Sequence, residues 1–252
     1  MVFILLGLGM KNFFIRVLCC LIPSRRLRHK FRSWLRTREY VNNKIIIVAK
    51  DGSRREVSSV PGSVIKFNGS NNCLELYEPI KSLELDIQVV NDFHLIIEPA
   101  LNLLKLNIRQ PDCFSMPMRG NLVHIGRGCS TSNWMPIHLM SDGGNVIIGK
   151  DCMFSWGCEI RTGDHHTILK QGTSEIVNRS QDVVIGNHVW VGSDVCITKG
   201  AVVPDNSVVG MRSLVTKKFT EPHTVIAGCP ARVVRTGIDW DRKSINEYEN
   251  AK

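Results

Sequence analysis

Residues 185–220 read IGNHVW VGSDVC ITKGAV VPDNSV VGMRSL VTKKFT, and an aliphatic residue opens each block: Ile185, Val191, Ile197, Val203, Val209 and Val215. Four positions after the leads come Val189, Val195, Ala201, Ser207 and Ser213, all small or of modest size. Gly186, Gly192 and Gly210 directly follow three of the leads. A period of six fits neither the 3.6 of a helix nor a plain alternating strand. It fits a chain that runs a short strand, turns a corner and repeats, which predicts a parallel β-helix of three sides and about 18 residues per coil. The leads then face inward and stack from coil to coil. Small residues let the corners bend, and glycine beside the leads is expected to supply φ > 0.

Working outward, Ile148, Phe154 and Ile160 keep the same period. The next lead is due at position 166 but arrives only at Ile185, so a loop of about 20 residues, Gly163 to Asp182, projects from the coil. Loops of that length inside compact domains are usually functional. This one opens Arg161-Thr-Gly-Asp-His-His-Thr-Ile168. Upstream, Leu76, Ile97, Ile125 and Ile148 start similar stretches at spacings of 21, 28 and 23, so coils with extra corner residues are expected from about residue 64. Lys44–Ala49 and Glu56–Val57 read as strands around a turn at Asp51-Gly52. Pro222, Gly228 and Pro230 end the regularity, and the polar stretch 239–252 predicts a short C-terminal helix. The expected division is 1–40 as a basic extension, 41–236 as the β-helix and 237–252 as a tail.

The net charge of +9 is local. Residues 1–38 hold nine Lys/Arg and no acid, and removing those nine from 32 leaves 23 basic residues against 23 acidic. A neutral body with a basic extension excludes a nucleic-acid-binding domain by charge. Residues 1–23 are apolar but broken by Lys11 and Arg16, which argues against a spanning helix and against a secretory signal. Met10 reads as an alternative start. Leu27, Phe31, Trp34 and Leu35 then form an apolar stripe at helical spacing with arginines opposite. This predicts an N-terminal amphipathic helix, with residues 11–38 resting on an anionic membrane surface or packing on the body or another subunit. Among the nine cysteines, Cys129, Cys152 and Cys158 fall in the small inward slot, where a thiol is a compact apolar residue. That usage suits a reducing compartment, so a cytoplasmic protein, peripheral on an inner membrane, is expected.

Ile185-Gly-Asn-His-Val-Trp-Val-Gly192, the hexads after it and Ile226-Ala-Gly-Cys-Pro-Ala-Arg-Val-Val-Arg235 resemble the C-terminal half of the hexapeptide-repeat acyltransferases. The resemblance implies an all-β fold, a left-handed parallel β-helix, assembled as a homotrimer and using acetyl-CoA. Asp164-x-His166-x-Ile168 followed by Val189-Trp190-Val191-Gly192 is similar to bacterial O-acetyltransferases of capsules, polysialic acid and lipopolysaccharide sugars. Such an enzyme needs a base beside an attacking hydroxyl, and histidine suits that task near neutral pH. The resemblance gives His166 that role, with His165 as its rival, and gives Trp190 the shaping of the site. Asp164 either orients a histidine or turns the loop. A backbone N–H near Gly192 is expected to meet the developing oxyanion.

For the CoA groove the resemblance implies Ser193, Met211, Thr216 and Lys217 beside Gly192, with Arg235 at the 3′-phosphate. Met211 departs from the small residue usual in the family. Lys199 and Arg212 are either helpers or solvated corners, and His124, His138 and His188 read as surface or corner histidines. No metal is expected: the H-x4-H pair of the zinc-binding gamma-type carbonic anhydrases, which share this fold, is missing. Neither GxGxxG nor a Walker A motif occurs. Two rival readings remain. One is N-acetylation of a nucleotide-linked amino sugar, although residues 40–64 are too short for the βαβ domain those relatives often carry. The other is a β-helix binding module without turnover.

Overall fold

The computed structural model describes residues 41–80, 82–110, 120–140 and 143–251. The expected helix and membrane contact of residues 1–40 lie outside them. The chain starts with β1 (Lys44–Val48) and β2 (Arg54–Val57), a hairpin through Asp51-Gly52. It continues through β3 (Val64–Phe67), β4 (Cys73–Tyr77), β5 (Leu83–Val89), β6 (His94–Ile97), β7 (Leu104–Arg109) and β8 (Leu122–Ile125). Shorter strands follow: β9 (Ser130–Thr131), β10 (Met135–His138), β11 (Val146–Ile148), β12 (Met153–Phe154) and β13 (Glu159–Arg161). After the projecting loop come β14 (Val183–Ile185), β15 (Trp190–Val191), β16 (Cys196–Ile197), β17 (Val202–Val203), β18 (Val208–Val209) and β19 (Leu214–Val215). A hairpin of β20 (Thr224–Gly228) and β21 (Ala231–Thr236) and the helix α1 (Ile245–Asn250) finish it.

These strands form three walls of a prism. The first is β2-β1-β4-β6-β8-β11-β14-β17, the second β3-β5-β7-β10-β13-β16-β19 and the third β9-β12-β15-β18-β20-β21. Pairing is parallel within every wall except at the two hairpins, β1–β2 and β20–β21. From β8 to β19 the chain visits first, third and second wall in turn. Before that the coils place strands in two walls only.

The sequence leads become columns. Ile47, Leu76, Ile97, Ile125, Ile148, Ile185 and Val203 are consecutive register partners in the first wall, and all are buried. Ile87, Ile108, Ile137, Ile160, Ile197 and Val215 do the same in the second. Each such side chain contributes about 1.5–3 kcal/mol by leaving water. Cys129, Cys152 and Cys158 occupy inward slots as expected, and their thiols donate to the carbonyls of Gly149, Gly186 and Gly192 in the next coil at 3.2, 3.1 and 3.2 Å.

The structure corrects two expectations. Coiling begins at β1, which pairs in parallel with β4, rather than near residue 64. Gly186, Gly192 and Gly210 are not among the positive-φ residues; the left-handed corner positions are held by Asp151, His188, Asp194, Asn206 and Arg212 and by the glycines Gly128, Gly157 and Gly200. What those glycines supply is room. A Cβ on Gly192 would stand 2.8 Å from the Met211 nitrogen, and one on Gly186 would stand 2.7 Å from the Asp205 nitrogen. After β21, Trp240 and Arg242 pack back onto the coils before Ser244 caps α1 with a reciprocal capping box to Glu247.

Candidate active site

The loop between β13 and β14 leaves the prism at the corner of the second and first walls. Asn178 ties its base. Asn178 accepts from the Ile168 N–H at 2.8 Å and donates to Asp164 Oδ2 at 2.8 Å and to the His166 carbonyl at 2.7 Å. The Lys199 ammonium, from the coil above, also bonds the Asp164 carboxylate and the Asn178 carbonyl. Hydrogen bonds from Lys199 and then Asn178 hold the Asp164 carboxyl below its ordinary pKa. Among the described residues the partners of the Asp164 carboxylate are thus Lys199 and Asn178, and neither histidine ring of the loop is one of them. Lys199 is a fixed ion-pair partner and not a solvated corner.

His165 and His166 sit exposed just past this anchor, with ring centroids 6.4 Å apart. Beyond them the arm folds on itself, bridging Leu169 to Ile176. It carries Ile168, Leu169 and Val177 more than half exposed. On the neighbouring outer face of the second wall, His138 pairs with Glu159 at 3.2 Å. Its burial lowers its pKa, and Arg161, His165 and Arg109 add to that effect against Glu159.

Trp190 lies on β15, in the third wall, across the prism from the corner where the loop emerges. Its indole N–H reaches the Ser155 hydroxyl at 3.4 Å. A single chain therefore does not bring Trp190 and His166 together. Gly192, Ser193 and Met211 are placed at the corner after β15 and β18. Register aligns Trp156, Ser193 and Met211 on successive coils there, and Trp156 and Met211 are 65% and 64% exposed, an apolar ridge with a notch at the serine. The Gly192 N–H is committed to the Val209 carbonyl at 2.8 Å, whereas among the described residues the Ser193 and Met211 N–H groups at this corner make no backbone hydrogen bond. Thr216 and Lys217 are elsewhere, after β19. With Lys218, Phe219 and Arg232 they line a cleft of about 630 Å³. Arg235 is exposed on β21, opposite Val225.

A polysialic acid O-acetyltransferase of Neisseria meningitidis is 47% identical over 104 residues, 41% of this chain and 48% of that one, so the chain spans about half of that relative's length. A galactoside O-acetyltransferase of Lactococcus lactis is 30% identical over 166 residues, 62% of this chain and 74% of the relative. The chain belongs to the hexapeptide-repeat acetyltransferases. Its prism is the left-handed parallel β-helix of that family. The polySia-specific acetyltransferase NeuO superposes on it with a TM-score of 0.65 at 24% identity, covering 84% of this chain and 95% of NeuO. No family model matches the chain.

This hexapeptide-repeat acetyltransferase also holds residues near the candidate site that the hexads did not reveal. His188, at the corner before Trp190, meets Asp151 through Nδ1 at 2.6 Å and the Trp240 carbonyl through Nε2 at 3.0 Å. Its ring stacks on Trp240 at 4.2 Å, and the Trp240 indole N–H donates to the His188 carbonyl at 2.8 Å. Arg242 donates to Asp151, Ser130, Gly128 and Cys152 at 2.9, 2.9, 3.0 and 3.1 Å. Burial opposes charging of His188, but Asp151, the Trp240 carbonyl and Asp239 outweigh it and raise its pKa. The strap so fastened sets the Trp240 ring 6.2 Å from that of Trp190. Asn178 and Trp240 had no sequence signal, because their partners lie 10–14 and 52 residues away.

Proposed function

We propose that the chain transfers an acetyl group from acetyl-CoA to a hydroxyl of a bacterial surface glycan: a capsular polysaccharide, polysialic acid or a lipopolysaccharide sugar. The placement of His166 carries this reading. The imidazole stands on an arm anchored through Asn178 and Lys199, and the arm's apolar tip is left bare by its own chain. We infer that a neighbouring copy in a homotrimer covers that tip, and that His166 of one copy then faces Trp190 of the next. Apolar arms of this kind are normally buried in an interface.

Acetyl-CoA supplies an activated acyl group, so no acyl-enzyme is required. His166 accepts the proton of the acceptor hydroxyl as it attacks, and returns it to the departing thiol sulfur. The Ser193 N–H faces the carbonyl oxygen as it gains charge. Lys217, Lys218 and Arg232 offer cations to the phosphates, with Arg235 nearby on the terminal hairpin. The buried thiols take no part; burial pushes Cys158 up to about 11. A cytoplasmic site, with residues 11–38 against the inner membrane, fits a reaction on acetyl-CoA.

The test is free-thiol release from acetyl-CoA with and without candidate capsular and lipopolysaccharide fragments, read together with the mass shift of the glycan. His166→Ala is expected to abolish transfer while light scattering still reports a trimer. Retained turnover in that variant would move the base elsewhere.

A further inference from the structure

The outer face of the first wall, near the hairpin end of the prism, carries a cluster that acyl transfer does not use. Cys73 on β4 and His94 on β6 are direct register partners on adjacent parallel strands. Glu75 lies two residues beyond Cys73, so it projects from the same face. The thiol sulfur, a carboxylate oxygen and an imidazole nitrogen of these three all lie within 4.8 Å of one another.

A second observation points to the same place. Among the described residues, His94 Nε2 is the buried side-chain polar atom without a hydrogen-bond partner. It approaches Glu75 Oε1 at 3.5 Å without forming a hydrogen bond. Leaving such an atom unsatisfied costs about 1–3 kcal/mol, and the other buried side-chain polar atoms of the described residues, including those of Asn72, Gln110 and Asn121, are bonded.

We propose that Cys73, Glu75 and His94 form a binding site for a divalent transition-metal ion of the zinc type. Thiolate, imidazole and carboxylate together suit zinc or cobalt and do not suit magnesium or calcium. Three protein ligands leave one tetrahedral position for water. Arg54 Nη2 bonds Glu75 Oε1 at 2.9 Å, and an outer partner on one oxygen orients a carboxylate for ligation. The Cys73 proton is released to solvent when the thiolate binds. The ion would join β4 to β6, in coils that have no strand in the third wall. The site is independent of the acyl-transfer reading.

The experiment uses the full chain, stripped with a chelator and titrated with cobalt(II). The expected result is one equivalent per chain, with a near-ultraviolet thiolate-to-cobalt band and visible bands of tetrahedral intensity. Cys73→Ser should remove the thiolate band. His94→Gln should weaken binding at least 10-fold, and Cys229→Ser, at an exposed thiol, should change neither. Zinc should raise the Tm of the parent protein and not that of His94→Gln. No stoichiometric band in the parent protein, or a band that survives Cys73→Ser, overturns the site. If Cys73→Ser does not fold, the His94→Gln titration and the parent stoichiometry decide the question alone.

Discussion

Replacing Asn178 with alanine separates holding the loop from holding the fold. Three hydrogen bonds go at once: from the Ile168 N–H, to the Asp164 carboxylate and to the His166 carbonyl. Each is worth about 0.5–1.5 kcal/mol net, and the one to a carboxylate somewhat more. The side chain is half-buried and its partners are exposed, so water recovers part of the loss. About 1–2 kcal/mol of loop ordering remains, a factor of about 5–30 in the fraction of chains with His166 poised. No column of buried aliphatics is touched, so Tm should barely move. The assay is kcat/KM for thiol release with a working acceptor, alongside thermal unfolding and native hydrogen exchange of residues 163–182. Full turnover with unchanged exchange in the loop would refute the idea that this amide sets the imidazole. Lost turnover with a collapsed Tm would refute the independence of loop and core.

The strap should respond to pH. The folded pKa of His188 lies above its ordinary value, so its contribution is fully present below about 6.5 and fades as pH rises through the folded value. Proteolysis after Gly237 should therefore speed up with rising pH in the parent chain and lose that dependence in His188→Gln. Arg242→Ala removes four donor contacts to buried or half-buried oxygens and should expose the strap at every pH, read by the same cleavage and by tryptophan fluorescence. Gly192→Ala puts a methyl against the backbone of Val209 and Met211 and should cost about 1–3 kcal/mol, seen as a lower Tm.

The hexads from Ile185 to Val215 were legible because each visit to a wall takes six residues and buries the lead with the smaller residue two before it, so the period of the packing is the period of the text. The leads at Leu76, Ile97, Ile125 and Ile148, at uneven spacing, prove to be one column, since extra residues are extruded at corners without disturbing register. Lys44–Val48 was readable as a strand but not as the first coil, because its parallel partner begins only at Cys73. The glycines after the leads were visible, yet the reason for them was not: steric crowding by the next coil leaves no trace in a single hexad. His165 and His166 stood out as the loop's histidines, with the family resemblance alone favouring His166. Asn178, Trp240 and the Cys73–Glu75–His94 group did not, because each depends on residues brought together only by coiling.

A prism of stacked parallel strands is open-ended by construction, and nothing in its walls tells it where to stop. Here one wall at each end finishes with a strand laid the other way, β2 in the first wall and β21 in the third, bearing the exposed Arg54 and Arg55 or Arg232 and Arg235. Reversed polarity and like charge deny a following molecule the template it would need to add on. At these two edges a head-to-tail contact would meet a strand of the wrong direction and a row of guanidinium groups.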